Sequence, residues 1–138
     1  MDNEASNATS NLVVSKLVVA KLHGEEDFKS DGLRPFAKYR DLGFAEATNG
    51  MLHAHVIKLV PPCTDEVRKR HRHITQVQMF YMLEGWMKLE FEGHGEVLME
   101  PGDCCLMPSG IAHTVLDYSP DARNLEITIP KEYDTIDA

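Results

Sequence analysis

The sequence predicts an all-β barrel or sandwich, on three observations. Short runs rich in apolar and β-branched residues recur near 51–60, 70–74, 77–83, 86–92, 96–99, 104–107, 112–118 and 123–130. Glycine and proline punctuate them at Pro61-Pro62, Gly85, Gly93-His94-Gly95 and Pro101-Gly102. No convincing amphipathic helix interrupts the series.

Taken in order, residues 1–10 are polar and read as a disordered tail. The run Leu12 to Ala20 is rich in β-branched residues and reads as a strand. Residues 23–35 hold Gly24, Gly32 and Pro35 and read as a loop. Residues 36–47 add a short strand, and Asn49-Gly50 is a turn signal. In the strand Met51–Val60, Met51, His53, His55, Ile57 and Leu59 share one face. Lys58 marks the opposite face as the solvent side, which places His53 and His55 inside. One barrel domain is expected over 11–130, with 131–138 as a C-terminal tail.

A chain of 138 residues is one domain by length and large enough for a core. A net charge of −8 disfavours nucleic acid as the main partner. The basic run Val67 to His73 reads as a solvated loop leading into a strand. A further reading puts Arg68 or Arg70 at the barrel mouth, where it attracts an anionic ligand. Cys63, Cys104 and Cys105 give no disulfide framework and read as buried free thiols, suiting a reducing cytoplasm. The first ten residues lack a signal-peptide core, and Lys16 interrupts the apolar run Leu12 to Leu22. No membrane span is expected, and the expected location is cytoplasmic.

The chemistry lies in two spaced blocks. The first reads His71-Arg72-His73, four residues, Gln78, six residues, Gly85. The second reads Gly102, five residues, Pro108-Ser109-Gly110, two residues, His113. On a strand, His71 and His73 send both imidazoles to one face while Arg72 points away. A third imidazole from a distant strand, plus a side-chain oxygen, would complete a first-row metal site.

These blocks resemble the two signature motifs of the cupin superfamily. The resemblance implies a double-stranded β-helix, or jelly-roll, barrel. It implies a divalent ion, zinc, iron or nickel, held by His71, His73 and His113 with Gln78 as fourth ligand. Two positions depart from the family pattern: Gln78 stands where Glu is usual, and Asp117 where Asn is usual. Three neutral imidazoles and a neutral amide leave the ion its full charge. That favours an anionic ligand, and Lewis-acid over redox chemistry. The histidine- and glutamine-rich set is also similar to that of cupin-type aromatic polyketide cyclases.

His55 is the candidate catalytic base, weighed against structural burial, and His53 a candidate pocket residue, with a fourth imidazole ligand as the other reading for either. Phe80 and Met82 share the parity of Gln78 and are expected to line an apolar cavity over the metal. Asp117 reads as strand-end turn chemistry. His23 and His94 read as exposed and inert. The expected function is a small-molecule metalloenzyme of the cyclase, isomerase or lyase kind, or an iron dioxygenase. The alternative is a non-catalytic module that binds metal and a small ligand, anionic or aromatic. A homodimer is expected from resemblance to small cupins and from the apolar strand at 12–20.

Overall fold

A computed structural model describes residues 15–30 and 34–138. Among the described residues, ten strands make two five-stranded antiparallel sheets. They are β1 (Ala37–Asp41), β2 (His53–Leu59), β3 (His71–Ile74), β4 (Val77–Glu84), β5 (Met87–Phe91), β6 (Gly95–Met99), β7 (Cys104–Leu106), β8 (His113–Tyr118), β9 (Arg123–Ile129) and β10 (Asp134–Asp137). One sheet runs β1-β2-β9-β4-β7 and the other β10-β3-β8-β5-β6. Two sheets of this kind face each other across one core, consistent with a jelly-roll barrel. A single helical turn, α1 (Phe44–Ala47), and a 3₁₀ turn at Glu25–Asp27 are the helical elements among the described residues.

The alternation read from the sequence governs what enters the core. Phe80 and Met82 of β4, Met87, Leu89 and Phe91 of β5, and Leu59 of β2 are buried together. Gly85 joins β4 to β5 at φ +66°. A Cβ there would meet the Ala122 Cα at 2.9 Å, so backbone crowding and the positive φ both demand glycine.

The second block is stitched to the first by its turn. The Gly110 N–H donates to the His73 carbonyl at 2.8 Å, and the Thr75 N–H donates to the Ser109 hydroxyl at 3.1 Å. The Met107 N–H donates to the Gln78 carbonyl at 2.8 Å. Pro108-Ser109-Gly110 thus delivers β8 beside β3, with His71 and His113 in register.

Three expectations change. Of the strand expected at 12–20, residues 12–14 lie outside the described residues. Residues 15–20 form no strand and make one backbone bond to the turn after β1, Lys16 N–H to the Ala47 carbonyl. β-propensity reflects packing against neighbouring strands, and here the stretch pairs with none. Residues 36–47 give a strand only to Asp41, then Gly43 at φ +82° opens α1. The expected C-terminal tail contains β10, which pairs with β3 from Asp134↔Ile74 to Asp137↔His71. No helix of the described residues is long and apolar enough to cross a membrane.

The basic run resolves into fixed contacts. Arg68 donates to the Leu116 and Cys63 carbonyls and pairs with Asp65, while Arg70 pairs with Glu90 at 3.0 Å. Neither arginine lines the central cavity, so the barrel-mouth role considered for them is set aside. Cys63, Cys104 and Cys105 are free. Cys104 is exposed rather than buried, because it sits on the outer face of the edge strand β7.

Candidate metal centre

Strands β3 and β8 bring His71, His73 and His113 together on the inner wall. One ring nitrogen from each lies within 4.8 Å of the others, spacing that can hold a metal ion. The rings sit 4.4 to 5.0 Å apart, centroid to centroid.

Each imidazole is aimed by its other nitrogen. His71 Nδ1 lies 2.8 Å from the Lys69 carbonyl, and His113 Nδ1 lies 3.2 Å from the Ile111 carbonyl. A carbonyl oxygen only accepts, so both Nδ1 atoms carry the proton and both Nε2 atoms keep a lone pair. His73 Nδ1 meets the Thr135 hydroxyl of β10 at 2.8 Å. Such partners fix ring orientation and tautomer at metal sites.

Electrostatics keep the trio neutral. Burial, and then the charges of His71 and His113, hold His73 down to about 4. Burial likewise lowers His71 and His113, against the raising effect of their backbone bonds. Neutral imidazoles with converging lone pairs are the donor state a first-row divalent ion requires, so the residues fit such an ion.

Gln78 lies on the facing sheet, buried, lining the same cavity of about 340 Å³. Its Nε2 donates to Glu126 Oε2 at 3.2 Å. Glu126, on β9, also receives His55 Nε2 at 2.8 Å, and His55 Nδ1 lies 3.1 Å from His53 Nε2. Register explains the chain. Phe80, Glu126 and His55 align across β4, β9 and β2, and Gln78, Thr128 and His53 align one step along. Burial raises the Glu126 carboxyl, but the hydrogen bonds from His55 and Gln78 and the His55 charge outweigh it and hold the group below its usual range. Burial, then the charge of His55, lowers His53.

Residues 59–123 match the family model of the cupin domain. These residues carry a cupin domain. No curated protein sequence matches the chain. Among solved structures, the chain is similar to KdgF from Halomonas sp. (22% identity, 80% of this chain and 94% of that one, TM-score 0.63). It is similar also to the polyketide cyclase RemF from Streptomyces resistomycificus (19% identity, 87% and 86%, TM-score 0.62). A third is salicylate 1,2-dioxygenase from Pseudoaminobacter salicylatoxidans, in adducts with gentisate (11% identity, 78% and 30%, TM-score 0.60). At these identities the likeness is one of fold.

The structure brings His71, His73, Gln78, Phe80 and His113 to one cavity. It leaves three expected site residues off the wall. Met82 is fully buried in the core, because β4 carries it past the cavity toward Gly85. His55 and His53 face inward as expected, but their rings turn to Glu126 and to each other rather than to the cavity. Asp117 is exposed, and its carboxylate accepts the Tyr118 N–H at the strand end. The sequence reading missed Glu126 and Thr135. One signal was available for Glu126: Asn124, Glu126 and Thr128 alternate with Leu125, Ile127 and Ile129 in β9. Glu126 also changes the charge argument. A carboxylate absent from position 78 arrives from the neighbouring strand, bonded to Gln78.

Proposed function

We propose that this cupin is a metal-dependent enzyme acting on a small anionic or enolisable molecule, in the manner of a cyclase, isomerase or lyase. His71, His73 and His113 hold a divalent ion, zinc, iron or nickel. Gln78 adds its amide oxygen, since its amide nitrogen is committed to Glu126. The single observation that supports this reading is the pairing of two features on one cavity wall. Three imidazole nitrogens converge there, and a carboxylate held below its usual range lies on the same cavity. When bound, the ion supplies a Lewis acid for a carbonyl or enolate oxygen.

The chain's own residues do the rest. Phe80, Ile57, Leu89 and Met107 line the cavity and exclude water from an apolar ligand. Glu126 takes a proton from the substrate carbon, and the N–H bonds from His55 and Gln78 hold its two oxygens in place. His55 is thereby a positioning residue behind Glu126.

The test begins with metal analysis of protein purified without added metal or nickel resin. Exchange of solvent deuterium into enolisable keto acids is then followed by NMR. Wild type should catalyse exchange, while metal-stripped protein and the Glu126→Gln variant should not. Metal binding without exchange on any acid would favour the non-catalytic binding module instead, and oxygen uptake by iron-loaded protein would favour a dioxygenase. A homodimer completes the proposal. Leu17, Val19 and Leu22 stand 93%, 67% and 60% exposed in an extended stretch that joins neither sheet. A monomeric mass by light scattering at micromolar concentration would contradict it.

A further inference from the structure

Two basic side chains line the cavity, Arg34 and Lys69. They differ in what already holds them. Lys69 Nζ pairs with Asp137 at 3.3 Å. The Arg34 guanidinium forms no hydrogen bond or ion pair with any described residue. Its guanidinium carbon stands 6.0 Å from the centre of the Phe36 ring, which also lines the cavity. The other arginines of this end are engaged: Arg68 and Arg70 as above, and Arg72 with the Gly110 carbonyl at 3.3 Å.

Arg34 is half-buried, its guanidinium over the Phe36 ring and its planar fork unpaired among the described residues. A guanidinium taken partly out of water without a counter-charge is costly, and two of its N–H groups match a carboxylate. Its charge is felt by His71, His73 and His113 alike, in each case opposing protonation. Arg34 and the histidine trio therefore act on one volume of about 340 Å³, small enough for a single ligand to touch both. Glu66 also lines the cavity, but it is exposed and makes no ion pair with Arg34. An incoming carboxylate thus has no closed pair to displace.

We propose that Arg34 is the carboxylate-docking residue of this cavity, binding a small carboxylic acid by paired N–H bonds and turning its other oxygen function toward the histidines. The inference rests on the reading that the trio faces the ligand, and names the substrate class: compact acids with a carbonyl or hydroxyl near the carboxylate.

Calorimetric titration of the full chain tests it, with pyruvate, benzoate and succinate, each beside its neutral amide. Each is titrated into metal-loaded protein and into protein dialysed against a chelator. Wild type should bind at least one acid over its amide by roughly tenfold or more, the range of a charge-assisted pair. Arg34→Gln should abolish that preference and leave the amide affinities in place. Arg34→Lys should keep part of it, which also guards against a folding defect. Wild type that binds no acid better than its amide would overturn the proposal, as would an Arg34→Gln protein with its preference intact. The metal-stripped arm separates the two readings. A preference that survives stripping but not Arg34→Gln supports Arg34 even if the metal reading fails. One that disappears on stripping and is untouched by Arg34→Gln overturns Arg34 and leaves the metal reading standing.

Discussion

Five histidines face the inside of this barrel, and the two sheets treat them in opposite ways. On β3 and β8, His71, His73 and His113 spend Nδ1 on two backbone carbonyls and one hydroxyl, leaving their remaining nitrogens to converge, those of His71 and His113 as lone pairs. On β2, His55 spends both nitrogens, one on His53 Nε2 and one on Glu126, while His53 Nδ1 is buried without a partner among the described residues. One direction is fixed by the acceptor: His55 Nε2–H donates to the Glu126 carboxylate. Burial is similar in kind in both places. The difference is the nearest carboxylate. Where one is in contact, imidazole becomes a donor to it. Where none is, clustered lone pairs need a cation from outside.

Breaking the first group should have the largest effect. His73→Ala removes one of three nitrogen donors, and an incomplete chelate should lose most of its metal. Elemental analysis reads this directly, and full occupancy in the variant would sink the assignment. Breaking the second group should cost stability while sparing metal. Glu126→Leu strands the His55 and Gln78 donors, and losing two bonds to a carboxylate should cost about 3 kcal/mol. Urea unfolding measures that loss. A Glu126→Leu protein as stable as wild type would mean the chain holds nothing in place.

The two groups also differ in how far sequence alone reveals them. The trio is readable because it is written in local chemistry. Strand alternation sets His71 and His73 on one face, Gly85 and Gly110 fix tight turns, and the second turn returns His113 to β3. Glu126 is not readable that way. Its role depends on β9 inserting between β2 and β4, pairings between strands far apart in the chain. Thr135 is hidden for a similar reason. Asp134-Thr135-Ile136-Asp137 carries no apolar pattern, yet edge pairing with β3 sets the Thr135 hydroxyl against His73. The apolar stretch at 15–20 shows the converse, strand-like residues with no strand to pair with.

Acid should act on the trio through His73. Its folded value of about 4 lies below the ordinary 6.5, so the native state resists a proton that the unfolded chain accepts. Stability is therefore fully present above pH 6.5 and falls as pH drops toward 4, by up to about 3 kcal/mol from this group alone in metal-free protein. His71 and His113 shift in the same direction. Urea titrations at pH 7.5 and pH 5 should show the loss in wild type and a shallower one in His73→Leu. Equal slopes in the two proteins would contradict it.

The smallest effect joins the two groups, at Gln78. If the Gln78 oxygen ligates the ion, Gln78→Glu lowers the net charge of the centre by one. Azide affinity should then fall severalfold while metal retention holds or improves, because carboxylate is the better donor. The same change sets two carboxylates side by side, since Gln78 now donates to Glu126 at 3.2 Å. In metal-free protein one of them should take up a proton. A second substitution separates ligation from total charge. Gln78→Glu combined with Glu126→Gln restores the wild-type charge and reverses the hydrogen bond, with the amide now donating from β9. If Gln78 touches the ion, the double variant still carries its carboxylate at the metal and azide binding stays weak. If only the summed charge near the centre matters, the double variant returns to wild-type affinity, and Gln78 is a partner of Glu126 rather than a ligand.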